Sequence, residues 1–87
     1  MQITWDPPKR LANISKHGLD FASLTEEFFA DAMVLFGKAG RYRAIGKDRN
    51  GVICVVFATL GLEGVSVISM RPASKEERRL YNEISKK

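Results

Sequence analysis

Eighty-seven residues, 45% of them hydrophobic and 28% charged, suit one modest soluble α/β domain over residues 1–87, because a chain of this length can bury one core and has none to spare for a second. The longest apolar run, Val52 to Ala58, falls far short of the ~20 residues of a membrane helix, and Met1-Gln2-Ile3-Thr4-Trp5-Asp6 lacks the basic and apolar regions of a secretion signal, so a cytoplasmic location without membrane attachment is expected. Cys54 is the single cysteine, which excludes an internal disulfide and leaves no zinc-ligand spacing, so neither metal nor cofactor is expected.

The net charge of +4 is unevenly spread. Residues 1–40 hold four Lys/Arg against five Asp/Glu, residues 41–70 four against two, and residues 71–87 six against three. The basic surplus thus belongs to the second half, where a polyanion such as nucleic acid would be drawn. A solvated basic helix face would give the same surplus.

In chain order, a short apolar start leads to Asp6-Pro7-Pro8, a helix opening that uses proline where backbone donors have no partners. Leu11, Ile14 and Ser15 fall on one face of this helix, and Gly18 after Lys16-His17 ends it. A second helix is predicted with Phe21, Leu24, Thr25 and Phe28 on its inner face and Asp20 or Ser23 near its start. From Ala32 the pattern turns to β: Met33 to Phe36, Arg41 to Lys47, Val52 to Thr59 and Val65 to Met70, bounded by Gly or Asn-Gly, with a tight turn at Asn50-Gly51. Val52 to Phe57 is apolar on both faces, as a central strand requires. Trp5 and the phenylalanines are assigned to the core. In the last strand Val65, Val67, Ser69 and Arg71 alternate against Ser66, Ile68 and Met70, bringing Arg71 out at the strand's end. Ser74 then opens a final helix, with Glu77 completing a capping box and Leu80, Tyr81 and Ile84 as its apolar stripe. The expected fold is α+β: N-terminal helices, a four-stranded antiparallel meander and a C-terminal helix.

Four groups of residues carry possible chemistry: Lys16-His17-Gly18, Arg41-Tyr42-Arg43, Arg71, and Glu77-Arg78 with Tyr81. Cutting RNA without a metal needs a base for the 2′-hydroxyl proton, cations for the phosphorane and an acid for the leaving 5′-oxygen. Guanidinium groups suit the phosphate because they stay charged and bond two oxygens at once. His17, Lys16, Glu77 and Tyr81 are the titratable partners. Each also has a structural explanation: a cation in the last helical turn for Lys16 and His17, a capping box for Glu77, ring packing for Tyr81, and a charged strand edge for Arg41 and Arg43.

Taken in order, Trp5-Asp6, Lys9, Asn13, Lys16-His17-Gly18 and Phe21, then Arg41-Tyr42 with Ala44-Ile45-Gly46, then Ile68-Ser69, Arg71, Ala73-Ser74, Glu77-Arg78 and Tyr81 resemble the BrnT toxin family over nearly the whole chain. The selective parts are W-D-x-x-K-x-x-x-N-x-x-K-H-G and I-S-x-R-x-A-S-x-x-E-R-x-x-Y. The resemblance implies a RelE-like fold, a bacterial type II toxin acting as a metal-independent ribonuclease that inhibits translation, and neutralisation by a BrnA-like ribbon-helix-helix antitoxin, with DNA contacted only through that antitoxin. It further implies a functional surface of Lys16, His17, Arg41, Arg71, Glu77, Arg78 and Tyr81, all but Arg78 as catalytic residues; Arg43, Lys47 and Arg78 are expected to bind RNA. Arg41 and Arg71 would hold the scissile phosphate, His17 or Glu77 would be the base, and Lys16 and Tyr81 would serve the leaving side. Two departures stand out: the connection Gly37-Lys38-Ala39-Gly40 is short and lacks acidic residues, and Pro72 stands where a second basic residue is often found. The alternative is a module of the same fold that binds nucleic acid or antitoxin without cutting RNA.

Overall fold

Ile3 and Trp5 alternate with Gln2 and Thr4, and in the computed structural model, which describes residues 1–85, they build a strand where the sequence suggested only an apolar start. This strand, β1 (Gln2–Trp5), runs parallel to the last strand of the sheet, Ile3 opposite Val65 and Trp5 opposite Val67. The sheet is therefore five-stranded and mixed, in the order β1-β5-β4-β3-β2, and not a four-stranded antiparallel meander. Four residues with no hairpin partner beside them leave little local signal, because a parallel pairing is made across the whole length of the chain. The other four strands, β2 (Met33–Phe36), β3 (Arg41–Asp48), β4 (Gly51–Leu60) and β5 (Gly64–Pro72), do form the antiparallel meander. The β3–β4 turn has Arg49 and Asn50 at its tip, and Gly51, at φ 105°, is already the first residue of β4 opposite Asp48.

Helix α1 (Pro7–His17) opens on two prolines and closes at Gly18, whose φ of 70° lets its N–H reach the Ile14 carbonyl at 2.8 Å. Its inner face is not the expected one. Leu11 is 63% exposed, whereas Asn13 is buried and Arg10, Ile14 and His17 are half-buried. The helix meets β5 through the Asn13 carboxamide, which bonds both the N–H and the C=O of Met70, so a polar residue takes the place of an apolar stripe.

The predicted second helix is two pieces. Asp20 caps a single 3-10 turn, Phe21–Ser23, by accepting from the Ala22 N–H, and Thr25 caps helix α2 (Glu26–Asp31) by accepting from the Phe28 N–H. Two capping residues five apart each start a turn of their own, with Leu24 extended between them. Arg10 fixes the first piece to α1 through a two-pronged pair with Asp20, at 2.7 and 2.8 Å, and this holds the Asp20 carboxyl down at about 2.

Phe21, Phe28 and Phe29 from these pieces cover one face of the sheet, packing on Ala44, Ile53, Val55, Phe57, Val65, Val67 and Met70 with Trp5 at the margin. Phe36 is the exception among the phenylalanines. It lies on the edge strand beyond the reach of α2 and is 85% exposed, its ring against Tyr42. The opposite face carries Ile45, Cys54 and Ala73 with Met33, Leu35, Val52 and Val56 around them, and Tyr81 of helix α3 (Lys75–Ser85) packs there.

A β-bulge decides which face Arg71 joins. Val56 pairs with Ser69 but Phe57 pairs with Val67, so Ile68 is an extra residue in β5. Simple alternation would put Val67, Ser69 and Arg71 on the same face. The bulge moves everything beyond Ile68 by one position, so Met70 enters the core with Val65 and Val67, and Arg71 turns to the α3 face opposite Cys54. Arg71 also lies within the strand, which continues to Pro72.

A candidate phosphate-binding face

Glu77 is the sole buried residue of α3, with its side chain only 4% exposed. Its backbone position comes from the expected capping box: the Ser74 N–H donates to Glu77 Oε1 at 2.8 Å, and the Glu77 N–H donates to Ser74 Oγ at 3.1 Å. The carboxylate then collects three more donors from the sheet. Arg71 grips it with two, Nη1 to Oε1 at 2.8 Å and Nη2 to Oε2 at 3.0 Å, and Arg43 Nη1 donates to Oε2 at 2.6 Å. The Arg71 guanidinium foremost, then the Ser74 N–H and Arg43, hold the Glu77 carboxyl down at about 2 against burial, which pushes the other way. Cys54, buried beside the cluster, has its thiol pushed up to about 11 chiefly by burial, so it is a core residue at neutral pH and no nucleophile.

The arrangement leaves two guanidinium groups anchored on one carboxylate, Arg71 Nη1 donating also to the Pro72 carbonyl at 3.2 Å. Their side chains are 39% and 33% exposed for Arg43 and Arg71. Arg41, Arg43 and Lys47 alternate with Tyr42, Ala44 and Gly46 along β3, so all three cations stand on the α3 face. Arg41 and Lys47 are exposed and make no ion pair among the described residues. A shallow hollow lined by Lys38, Arg41, Arg43 and Val56 opens at the β2–β3 turn. Such a surface offers fixed, permanently charged donors to a phosphate and a line of cations to the chain on either side of it. No three His, Cys, Asp or Glu side chains stand together as a metal site among the described residues.

Of the residues singled out in the sequence, Arg43, Arg71 and Glu77 meet in one cluster. Tyr81 lies one turn along α3 from Glu77, half-buried on Ile45, Cys54 and Ala73. Arg78 is exposed on the same helix. Lys16 and His17 stand in the last turn of α1, and none of the described hydrogen bonds or ion pairs joins them to the cluster. His17 follows Asn13 by one turn on the half-buried face, and Asn13 is bonded to Met70, the neighbour of Arg71. Arg43 is more central than its place among the RNA-binding residues suggested. Its spacing of two from Arg41 and four from Lys47 was the visible signal, but the partner that singles it out, Glu77, lies 34 residues away.

Two comparisons define the class of protein that carries this face. The model of a family described as "Ribonuclease toxin, BrnT, of type II toxin-antitoxin system" matches residues 5–77. The 1.1 Å crystal structure of the Brucella abortus ribonuclease toxin BrnT is similar at 54% sequence identity and a TM-score of 0.80, over 86% of this chain and 99% of that one. The chain belongs to the BrnT family of ribonuclease toxins of type II toxin-antitoxin systems. No curated protein matches it.

Proposed function

We propose that the protein is an active, metal-independent endoribonuclease that stops translation by cutting RNA on the α3 face of its sheet, in the cytoplasm of a bacterial cell. The observation that carries this reading is the pair Arg43 and Arg71, held by one buried carboxylate while both side chains stay partly exposed. In this mechanism the two guanidinium groups bind the non-bridging oxygens of the scissile phosphate. A base removes the 2′-hydroxyl proton, the 2′-oxygen bonds to phosphorus, and the negative charge of the phosphorane falls on oxygens the arginines already hold. The bond from phosphorus to the 5′-oxygen then breaks, and an acid protonates the leaving oxygen. The products are a 2′,3′-cyclic phosphate and a 5′-hydroxyl end.

In this reading Glu77 holds the arginines, which keep its carboxyl at about 2 and so suit it poorly to taking a proton at neutral pH. His17 is the base of this proposal, with Lys16 and Tyr81 serving the leaving oxygen. Arg41, Lys47 and Arg78 guide the flanking chain. One domain over residues 1–87 of RelE-like plan, with a ribbon-helix-helix antitoxin as partner and DNA reached only through it, completes the reading that the resemblance supports.

The test is to incubate the purified protein with RNA in the presence of a chelator and analyse the ends. Fragments with 5′-hydroxyl and cyclic-phosphate ends are expected. Intact RNA that is shifted in a gel would instead favour a module that binds without cutting.

A further inference from the structure

Asn13 belongs to the first selective motif, yet the cluster around Glu77 does not use it. It is buried in the middle of α1, and all of its hydrogen bonds go to backbone. Its carboxamide oxygen accepts from the Met70 N–H at 3.0 Å, and its amino group donates to the Met70 carbonyl at 2.8 Å and to the Leu19 carbonyl at 3.0 Å.

In a strand the N–H and C=O of one residue leave on the same side. Those of Met70 point outward to Asn13, away from β4. On that side β1 is the neighbouring strand only as far as Trp5, opposite Val67. Beyond Val67 the edge of β5 has lost its strand partner, and it contains the bulge at Ile68. The Asn13 amide supplies there the donor and acceptor that a longer β1 would have supplied.

The Met70 carbonyl lies in the same rigid peptide plane as the nitrogen and Cα of Arg71. Fixing that carbonyl fixes the plane that holds the Arg71 nitrogen and Cα, and so narrows the directions in which the Arg71 side chain can leave the strand. We propose that Asn13 is a positioning residue for Arg71: by completing the edge of β5 it locks the post-bulge register that presents the guanidinium to Glu77 and to substrate. As a statement about catalysis this rests on Arg71 binding the scissile phosphate. As a statement about geometry it does not.

The experiment uses the full chain, labelled with nitrogen-15, as wild type, Asn13→Leu and Asn13→Asp. The Arg71 Nε–H signal is assigned by its loss in Arg71→Lys. In folded Asn13→Leu this signal should shift and exchange faster with water. RNA cleavage should fall tenfold or more in kcat with a smaller change in KM, and Asn13→Leu should add no further loss in an Arg71→Ala background.

Asn13→Asp guards against a Leu variant that does not fold. Its ionised carboxylate faces the two carbonyls that Asn13 donates to, so the Arg71 signal should be displaced at neutral pH and return as acidification restores a donor. An unmoved Arg71 signal in either folded variant, or losses in kcat that add to those of Arg71→Ala, would overturn the proposal. If the wild type leaves RNA intact, the ribonuclease reading fails while the Arg71 signal still decides the role of Asn13.

Discussion

Replacing Glu77 by Gln would leave the half-buried Arg43 and Arg71 facing a neutral amide with one acceptor oxygen where the native protein offers two charged ones. We expect a loss of about 2–4 kcal/mol in urea denaturation at neutral pH, since a broken buried pair leaves uncompensated charge behind. The pH dependence has a definite sign. The folded carboxyl is held at about 2 against an ordinary 4.5, so its contribution, on the order of 3 kcal/mol, is fully present above about pH 4.5 and disappears as pH falls toward 2. The stability gap between wild type and Glu77→Gln should therefore close across that window; a gap unchanged down to pH 2 would mean that the arginines do not set this carboxyl. Catalysis separates from stability in the rate profile. If Glu77 only holds the arginines, Glu77→Gln lowers the rate but leaves the acidic limb of the profile where it was.

The capping box at Ser74 and Glu77 was legible because both ends of its signature lie within four residues of each other, and so was the Asp6-Pro7-Pro8 opening. What the spacing could not reveal is that one carboxylate both caps a helix and ties two strands to it, since Arg43 and Arg71 reach Glu77 from the sheet.

Elements show the same division between local and distant causes. Two of the predicted helix and strand boundaries follow from Gly18 and the β3–β4 turn, where a single residue type imposes the backbone. The split of the second helix was missed because Thr25 was read as an inner-face residue when it is a cap. The bulge at Ile68 and the strand β1 were missed for a different reason: both are settled by the neighbours across the sheet. The inner face of α1 was misread as Leu11, Ile14 and Ser15 because periodicity counts apolar residues, and the residue that docks this helix is an asparagine.

The contact between α2 and β3 offers a test confined to the face away from the arginines. A Cβ at Gly46 would sit 3.0 Å from Phe28 Cε1 and 3.4 Å from the Ala32 Cβ, so the buried Phe28 ring would have to give by a few tenths of an ångström. Gly46→Ala should cost about 1–3 kcal/mol through overpacking, read as a lower denaturation midpoint with an unchanged slope. RNA cleavage measured well below the new midpoint should be that of the wild type. A loss of cleavage as large as that of a site variant would show that the two faces are not independent.

For the molecule as a whole, the exposed charges lean to opposite faces of the sheet, although α3 also brings Glu76 and Glu83 to the basic side. The −1 half of the sequence supplies α2, with Glu26, Glu27 and Asp31 exposed on one side, while Arg41, Arg43, Lys47 and Arg71 occupy the other. The charge count along the chain foreshadowed this division, although Lys86 and Lys87, which add to the basic end, lie outside the described residues. No described helix is long and apolar enough to cross a membrane. If the basic face guides RNA by counterion release, Arg41→Ala should weaken binding without preference for sequence. It should also reduce the slope of log affinity against log salt by about 0.7, the release expected for one phosphate on a single strand, while stability stays within about 0.5 kcal/mol. An unchanged slope would place the RNA elsewhere.

The central claim is that Arg71, turned to this face by the bulge, holds the phosphate being cut. It is tested most directly by the single-turnover cleavage rate of Arg71→Ala with chelator present, alongside a denaturation curve to establish that the variant is folded. The expected rate is at least about 100-fold below wild type, the scale on which a lost transition-state donor acts, in a protein that remains folded. A folded Arg71→Ala that cuts RNA at the wild-type rate would contradict it.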